Sequence, residues 1–213
     1  MDKIFSSLME ELKKRQFKPY YAENKEEAVR TVLSVIDEEM AKKGKTEKEM
    51  QISFGGSRTL SEIDVYSAIE KYNVLDPYAF PTRQEQHEAK RRALLSDVFL
   101  MSANALCESG EIVNIDGNGN RLGAMICGPD KVVMVVGKNK IVKDKASAME
   151  RIKTIACVKN AQRLSRKTPC AEKGKCESCL ISGQTICGHT VYTRYSSIPE
   201  RIVVILVNEE LGF

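Results

Sequence analysis

Apolar residues recur at helical spacing from the start of the chain. Ile4, Leu8 and Leu12 lie on one face with Phe5 and Met9 beside them, until "KPYY" breaks the pattern at Pro19. A second helix opens at Asn24, a capping residue with Glu27 three positions on. It carries Val29, Val32, Leu33, Ile36 and Met40 down one side and ends in lysines and Gly44. These two helices read as packing elements, so residues 1–48 are expected to form a helical segment lying on a domain made by residues 49–213.

The period then changes. "QISF" is a short apolar strand, two glycines follow, and a helix starts at about Ser57; "NVLDPY" is apolar and "QEQHEAKRRALL" is a charged helix. Four β-rich runs come next, "DVFLMSA", "EIVNI", "LGAMICG" and "KVVMVVG", separated by turn residues in "CESG", "DGNGN" and "GPD". Strands that follow one another without helices cannot all be parallel. A helix from about Ala146 to Leu164, a cysteine-rich loop over 165–190 and a last apolar strand, "RIVVILVN", complete the chain. Helices alternating with strands, then consecutive strands, predict an α/β protein with a mixed sheet flanked by helices.

Composition narrows the class. The 213 residues suit one generous α/β domain, and 42% hydrophobic with 29% charged residues exclude disordered and fibrous chains. No apolar stretch approaches the roughly 18 residues of a membrane span. The N-terminus reads as an amphipathic helix rather than a signal peptide, so a cytoplasmic protein without membrane partners is expected. A net charge of +4 is mild, basic and acidic residues are interleaved, and Trp is absent. That is not the concentrated basic stripe with aromatic platforms of a nucleic-acid binder, although the segment from Arg163 to Lys175 is the most basic stretch. A homodimer is the ordinary expectation for such a chain.

Two regions can carry ligand chemistry. In "SFGGSRTLSEIDV", Gly55 and Gly56 allow close backbone approach, the first amides of the following helix favour an anion, Arg58 adds a charged donor, and Ser57 and Thr59 add hydroxyls. The same residues also suit a plain strand-to-helix turn with a cap. Further on, Asn104, Glu108, Asn114, Asp116, Asn120 and Arg121 fall near strand ends and the "DGNGN" hairpin turn, where α/β sheets bind ligands. Asn and Asp beside Gly also simply form turns. His87 reads as an exposed or ion-paired residue rather than a catalytic base; Lys138 and Lys140 of "GKNK" follow a buried strand and could meet a ligand's phosphate, though they read first as solvated turn lysines.

The pieces "FGGSRTL", "DVFLMSANALCESGEIVNIDGNGNR", "GPDKVVMVVGKNKIV" and "IPERIVVILVNEELGF" resemble the LUD family, named for its lactate-utilisation members, in a short form with a cysteine motif. The likeness runs from about Gln51 to Phe213. It implies a fold similar to ribose-5-phosphate isomerase, glucosamine-6-phosphate deaminase and the CoA-transferases, a three-layer α/β/α sandwich with a mixed, Rossmann-like sheet. Gly55, Gly56, Ser57 and Thr59 match the family's glycine-rich loop, which in the wider fold lies against phosphate or CoA groups. Glu108, before Ser109 and Gly110, resembles the Glu-Asn-Gly of CoA-transferases, with Ser109 in place of the asparagine; this implies a nucleophile or general base. Asn120 and Arg121 match an Asn-Arg pair. The implied ligand is an anionic small molecule, a phosphate, CoA ester or organic acid.

The cysteines divide. Cys107 and Cys127 fall in the expected sheet as small buried residues. Cys170, Cys176, Cys179 and Cys187 form Cys-x5-Cys-x2-Cys-x7-Cys in a loop short of core residues, with Cys157 and His189 nearby. Such a loop needs more than packing to fold it. Zinc and a [4Fe-4S] cluster both take four cysteines, a redox thiol pair is also open, and the longer LUD members lack the insertion. On a metal reading the chain would be an accessory or electron-transfer protein of an organic-acid oxidation system, with oxidoreductase partner subunits.

Overall fold

A computed structural model of the chain describes residues 2–213. Its frame is a six-stranded sheet made of β1 (Lys18–Ala22), β2 (Gln51–Phe54), β3 (Asn73–Leu75), β4 (Val98–Met101), β7 (Lys131–Gly137) and β10 (Ile202–Val207). The spatial order is β1-β10-β7-β4-β2-β3, and every neighbouring pair is parallel. Strands buried on both faces read as continuous apolar runs rather than alternating ones, and all six residues of β10, IVVILV, are buried.

Alternate residues of these strands feed two cores. On one face, Val133, Val135, Val203, Ile205 and Val207 pack with α2 (Lys25–Lys43), α3 (Arg58–Glu62) and α4 (Val65–Ala68). On the other, Phe99, Met101, Val132, Met134, Val204 and Leu206 meet α1 (Lys3–Lys14), α5 (Arg83–Arg92) and α6 (Asn120–Cys127). The three-layer α/β/α sandwich is therefore as expected.

A second sheet of four strands, in the order β8-β5-β6-β9, joins the latter face through Leu106 and Ile112. It comprises β5 (Ala105–Cys107), β6 (Ile112–Asp116), β8 (Ile141–Val142) and β9 (His189–Thr193). The expected antiparallel pairings lie here, β5 with β6 and β6 with β9, while the main sheet is parallel throughout. Its far side is covered by a long helix with α segments α7 (Lys145–Arg151) and α8 (Cys157–Arg163). These are joined by a π-helical turn, Ile152–Ala156, and their Ala148, Ile152 and Cys157 pack on Ala105, Cys107 and Val113.

Two elements differ from the sequence reading. "KPYYA" is a strand: β1 sits at the sheet edge, where a proline is tolerated, and it ties the first 48 residues into the main sheet instead of leaving them as a helical layer. "LGAMICG" is not a strand but belongs to α6, with Leu122, Ala124 and Met125 inward and Ile126 and Cys127 exposed. A short apolar run fits either period. What holds it helical is remote in sequence: the buried Arg201 guanidinium donates to the carbonyls of Ala124, Met125 and Pro129 at 2.7–2.9 Å, satisfying the helix end.

Candidate functional site

Because the main sheet is parallel, the segments leaving β2, β4, β7 and β10 emerge on one edge. The strand order turns round between β2 and β4, with β3 on one side and β7 on the other, which is where open α/β sheets bind ligands. A cleft of about 560 Å³ opens there, lined by residues 56–58, 102–104, Asp116, Asn120, Arg121, Lys140 and side chains of α5 and α8. Among the described residues its lining holds seven cationic side chains, Arg58, Arg83, Lys90, Arg121, Lys140, Arg163 and Arg166, against one carboxylate, Asp116. That carboxylate is already paired to Arg121 Nε at 3.2 Å, so the cleft carries a net positive charge.

The glycine-rich loop borders this cleft, but its leading amides are occupied. Gly55 N donates to the Leu100 carbonyl, and Gly56 N donates to the Tyr78 hydroxyl at 2.7 Å. Ser57 Oγ accepts from Leu60 N as the cap of α3, which is only five residues long. Thr59 is fully buried. Two of the expected backbone donors, at residues 55 and 56, are thus taken within the fold, and Gly55 is glycine because a Cβ there would overlap Arg121 Cγ and Cδ, so the loop makes room for an arginine. Arg58 reaches the rim, paired to Glu62 at 2.8 Å.

The polar rim separates into two groups. Asn104 and Asn114 hold the backbone: Asn104 N donates to Asn114 Oδ1 at 3.1 Å and Ile115 N to Asn104 Oδ1 at 2.9 Å. Asn114 is wholly buried, its amide nitrogen 3.5 Å from Met125 Sδ, so it cannot meet a ligand in the cleft. Asp116, Asn120 and Arg121 do line it. Asp116 also accepts from Asn118 N and Arg121 N, and Arg121 donates to the Ile115 carbonyl at 2.6 Å, which fixes the guanidinium.

Glu108 is elsewhere. It lies four residues beyond Asn104 along extended β5, about 13 Å at roughly 3.3 Å per residue, and it is exposed and outside the cleft lining. Its turn leans on α1, where Arg15 Nε donates to the Ser109 carbonyl at 2.7 Å and Gly110 packs against Arg15. The resemblance to a CoA-transferase glutamate does not survive this placement, because the turn belongs to the second sheet.

The floor of the cleft is Lys140. It is 3% exposed, and its Nζ donates to Thr59 Oγ1 at 2.6 Å and to Ser102 Oγ at 2.9 Å. Both hydroxyls spend their own protons on backbone carbonyls, of Leu211 and Val135, and so present lone pairs to the amine. Burial pushes the ammonium from its ordinary 10.5 down to about 7, helped by Arg151 and Arg121, while Glu62 opposes the shift weakly. Arg151 is a buried strut whose Nε donates to the Asn139 carbonyl and whose NH1 donates to the Asn104 carbonyl, joining the segments after β7 and β4.

A smaller cavity of about 240 Å³ lies beside the cleft, lined by Cys157, Cys170, Cys176, Cys179 and Cys187. Thr185 and Ile186 line both spaces. The structure thus gathers the four-cysteine motif and adds Cys157; His189 is exposed on β9, outside that lining. No disulfide links any of the seven cysteines, and among the described residues no group of three His, Cys, Asp or Glu side chains is arranged to hold a metal ion. Cys107 is a core residue whose thiol burial pushes up to about 11.

The family model for the LUD domain matches residues 6–207. The chain belongs to the LUD family. That family is associated with lactate utilisation. Among solved structures, the crystal structure of a DUF162-family protein from Deinococcus radiodurans is 13% identical, with a TM-score of 0.55 and 97% of each chain covered, a likeness of fold. No curated protein matches the sequence.

Within this LUD protein the residues that sequence reasoning missed are Lys140, Arg151 and the cations of α5 and α8. Lys140 reads with Lys138 as a turn lysine after a buried strand, yet only Lys138 is exposed. His87 stands exposed at the cleft rim. No helix among the described residues is long and apolar enough to cross a membrane.

Proposed function

We infer that this LUD protein binds a multiply charged anionic small molecule, such as a sugar phosphate, a CoA ester or a polycarboxylate of organic-acid metabolism, in the cleft at the carboxyl edge of its parallel sheet. The observation that carries this is the charge imbalance of the lining around the buried amine of Lys140, six further basic side chains to one paired carboxylate side chain. A cleft of about 560 Å³ is within the range of small-molecule sites. Arg121 and Arg163 suit planar oxyanions, and Lys140 meets the buried end of the ligand as a point charge.

An amine that loses its proton near pH 7 has a second capacity. Without a ligand, burial and two neighbouring arginines favour the neutral form; an anion arriving beside it favours the charged one. Binding therefore draws a proton onto Nζ. The same amine can accept a proton from a bound substrate, the general-base role that the sequence had assigned to Glu108.

A thermal-shift screen of sugar phosphates, CoA esters and di- and tricarboxylates tests the reading. A true ligand at about a hundred times its dissociation constant stabilises the fold by about 2.7 kcal/mol. Arg121→Ala and Arg163→Ala should each lose most of that shift, while Glu108→Gln should keep it. A ligand whose shift depends on Glu108 but not on the arginines would place the site on the second sheet instead.

A further inference from the structure

The loop between residues 165 and 190 buries little of itself and is closed mainly by two hydrogen bonds across it, from Arg166 Nη1 to the Gly183 carbonyl and from Lys167 N to Gln184 Oε1. Helix α9 (Pro169–Lys173) buries none of its residues, Leu180 is 93% exposed, and the few backbone hydrogen bonds within the loop join near neighbours such as Ile181 and Thr185. Yet this loop supplies Arg166, Gly183, Thr185 and Ile186 to the cleft wall. Its four cysteines, distant in sequence from Cys157, all face the same cavity as that helical thiol. The remaining walls are largely apolar, Ile115, Met149, Ile152 and Ile186 among them, and the one carboxylate, Glu177, is paired to Lys173 at 3.1 Å.

We propose that this cavity is the site of a [4Fe-4S] cluster held by Cys170, Cys176, Cys179 and Cys187, and that the cluster folds the 165–190 loop into the wall of the cleft. An all-thiolate donor set selects iron–sulfur clusters or zinc. Zinc would draw four sulfurs to about 2.3 Å from one point. The five thiols line a space of about 240 Å³. A four-iron cluster spreads its ligands around a larger body, with Cys157 and the apolar side chains as its inner wall. Because so little else fixes the loop, the binding free energy of the cluster is folding free energy for it. The proposal stands independently of what the cleft binds.

Two measurements on the full chain decide it. Protein purified anaerobically and supplied with equal parts of ferrous and ferric iron and with sulfide should contain about four iron and four sulfide per chain and show broad visible absorption. A Cys176→Ser, Cys179→Ser double variant should hold none while keeping the wild-type far-ultraviolet spectrum of the α/β frame. Trypsin cutting at the exposed Lys167, Lys173 and Lys175 reads the second half. Loading should slow cleavage at least about tenfold, since proteolysis follows the open population. Stoichiometric zinc without sulfide, or no metal after reconstitution, overturns the cluster; equal cleavage of loaded and unloaded protein overturns its role in ordering the loop.

Discussion

Lys140 is a nearly fully buried amine at the floor of the cleft, and its burial has a consequence for stability. With a folded-state value near 7 against the ordinary 10.5, the unfolded chain binds more protons between those limits, so stability rises with pH across that window. Below about 7 the amine is charged in both states and the folded protein bears the full cost of burying it. Lys140→Met should therefore be more stable than wild type in acid. Its advantage should shrink from pH about 7 towards 10, read as denaturation midpoints; a constant difference would mean that the amine is not buried as described. Nothing local distinguishes Lys140 from Lys138 in "GKNK". The difference arises from Thr59, Ser102 and Leu211, which the fold brings from three other segments. The glycines, by contrast, were legible as a place of close approach, although what approaches Gly55 is Arg121.

At the scale of elements, the site depends on how the segments after β4 and β7 are held together. Arg151 joins them with two charged hydrogen bonds to carbonyls, from the helix that covers the second sheet. Arg151→Met keeps much of the packing but strands both carbonyls, so a loss of about 1–3 kcal/mol is expected in chemical denaturation. Anion affinity should fall with it, because Asn104 and Lys140 flank the bonds that are lost. Unchanged stability would show that the strut is dispensable. The long helix over 145–163, the capped α2 and the apolar β7 and β10 could be read from periodicity. Strand β1 and helix α6 could not: an edge position made Pro19 acceptable, and Arg201, far along the chain, satisfies the helix end that "LGAMICG" alone does not explain.

Over the whole molecule, charge is arranged in a way that composition hides. A net charge of +4 over 213 residues is unremarkable, yet seven cations face one cleft, drawn from segments between Arg58 and Arg166. Sequence reading expected an anion to be held by backbone amides after β2, with Glu108 supplying the chemistry. The parallel strands deliver residues 102–104 and 140 to the cleft while the second sheet carries residue 108 away, and the proposed function accordingly rests on side chains. The most direct test is calorimetric titration of sulfate, doubly charged across the working range, into wild type and Lys140→Met at pH about 6 and about 8. The cleft described here predicts that wild type binds several-fold more tightly at the lower pH, takes up a proton on binding mainly at the higher pH, and that the variant binds weakly and equally at both. Equal sulfate affinity in the two proteins, or wild-type binding indifferent to pH, would contradict it.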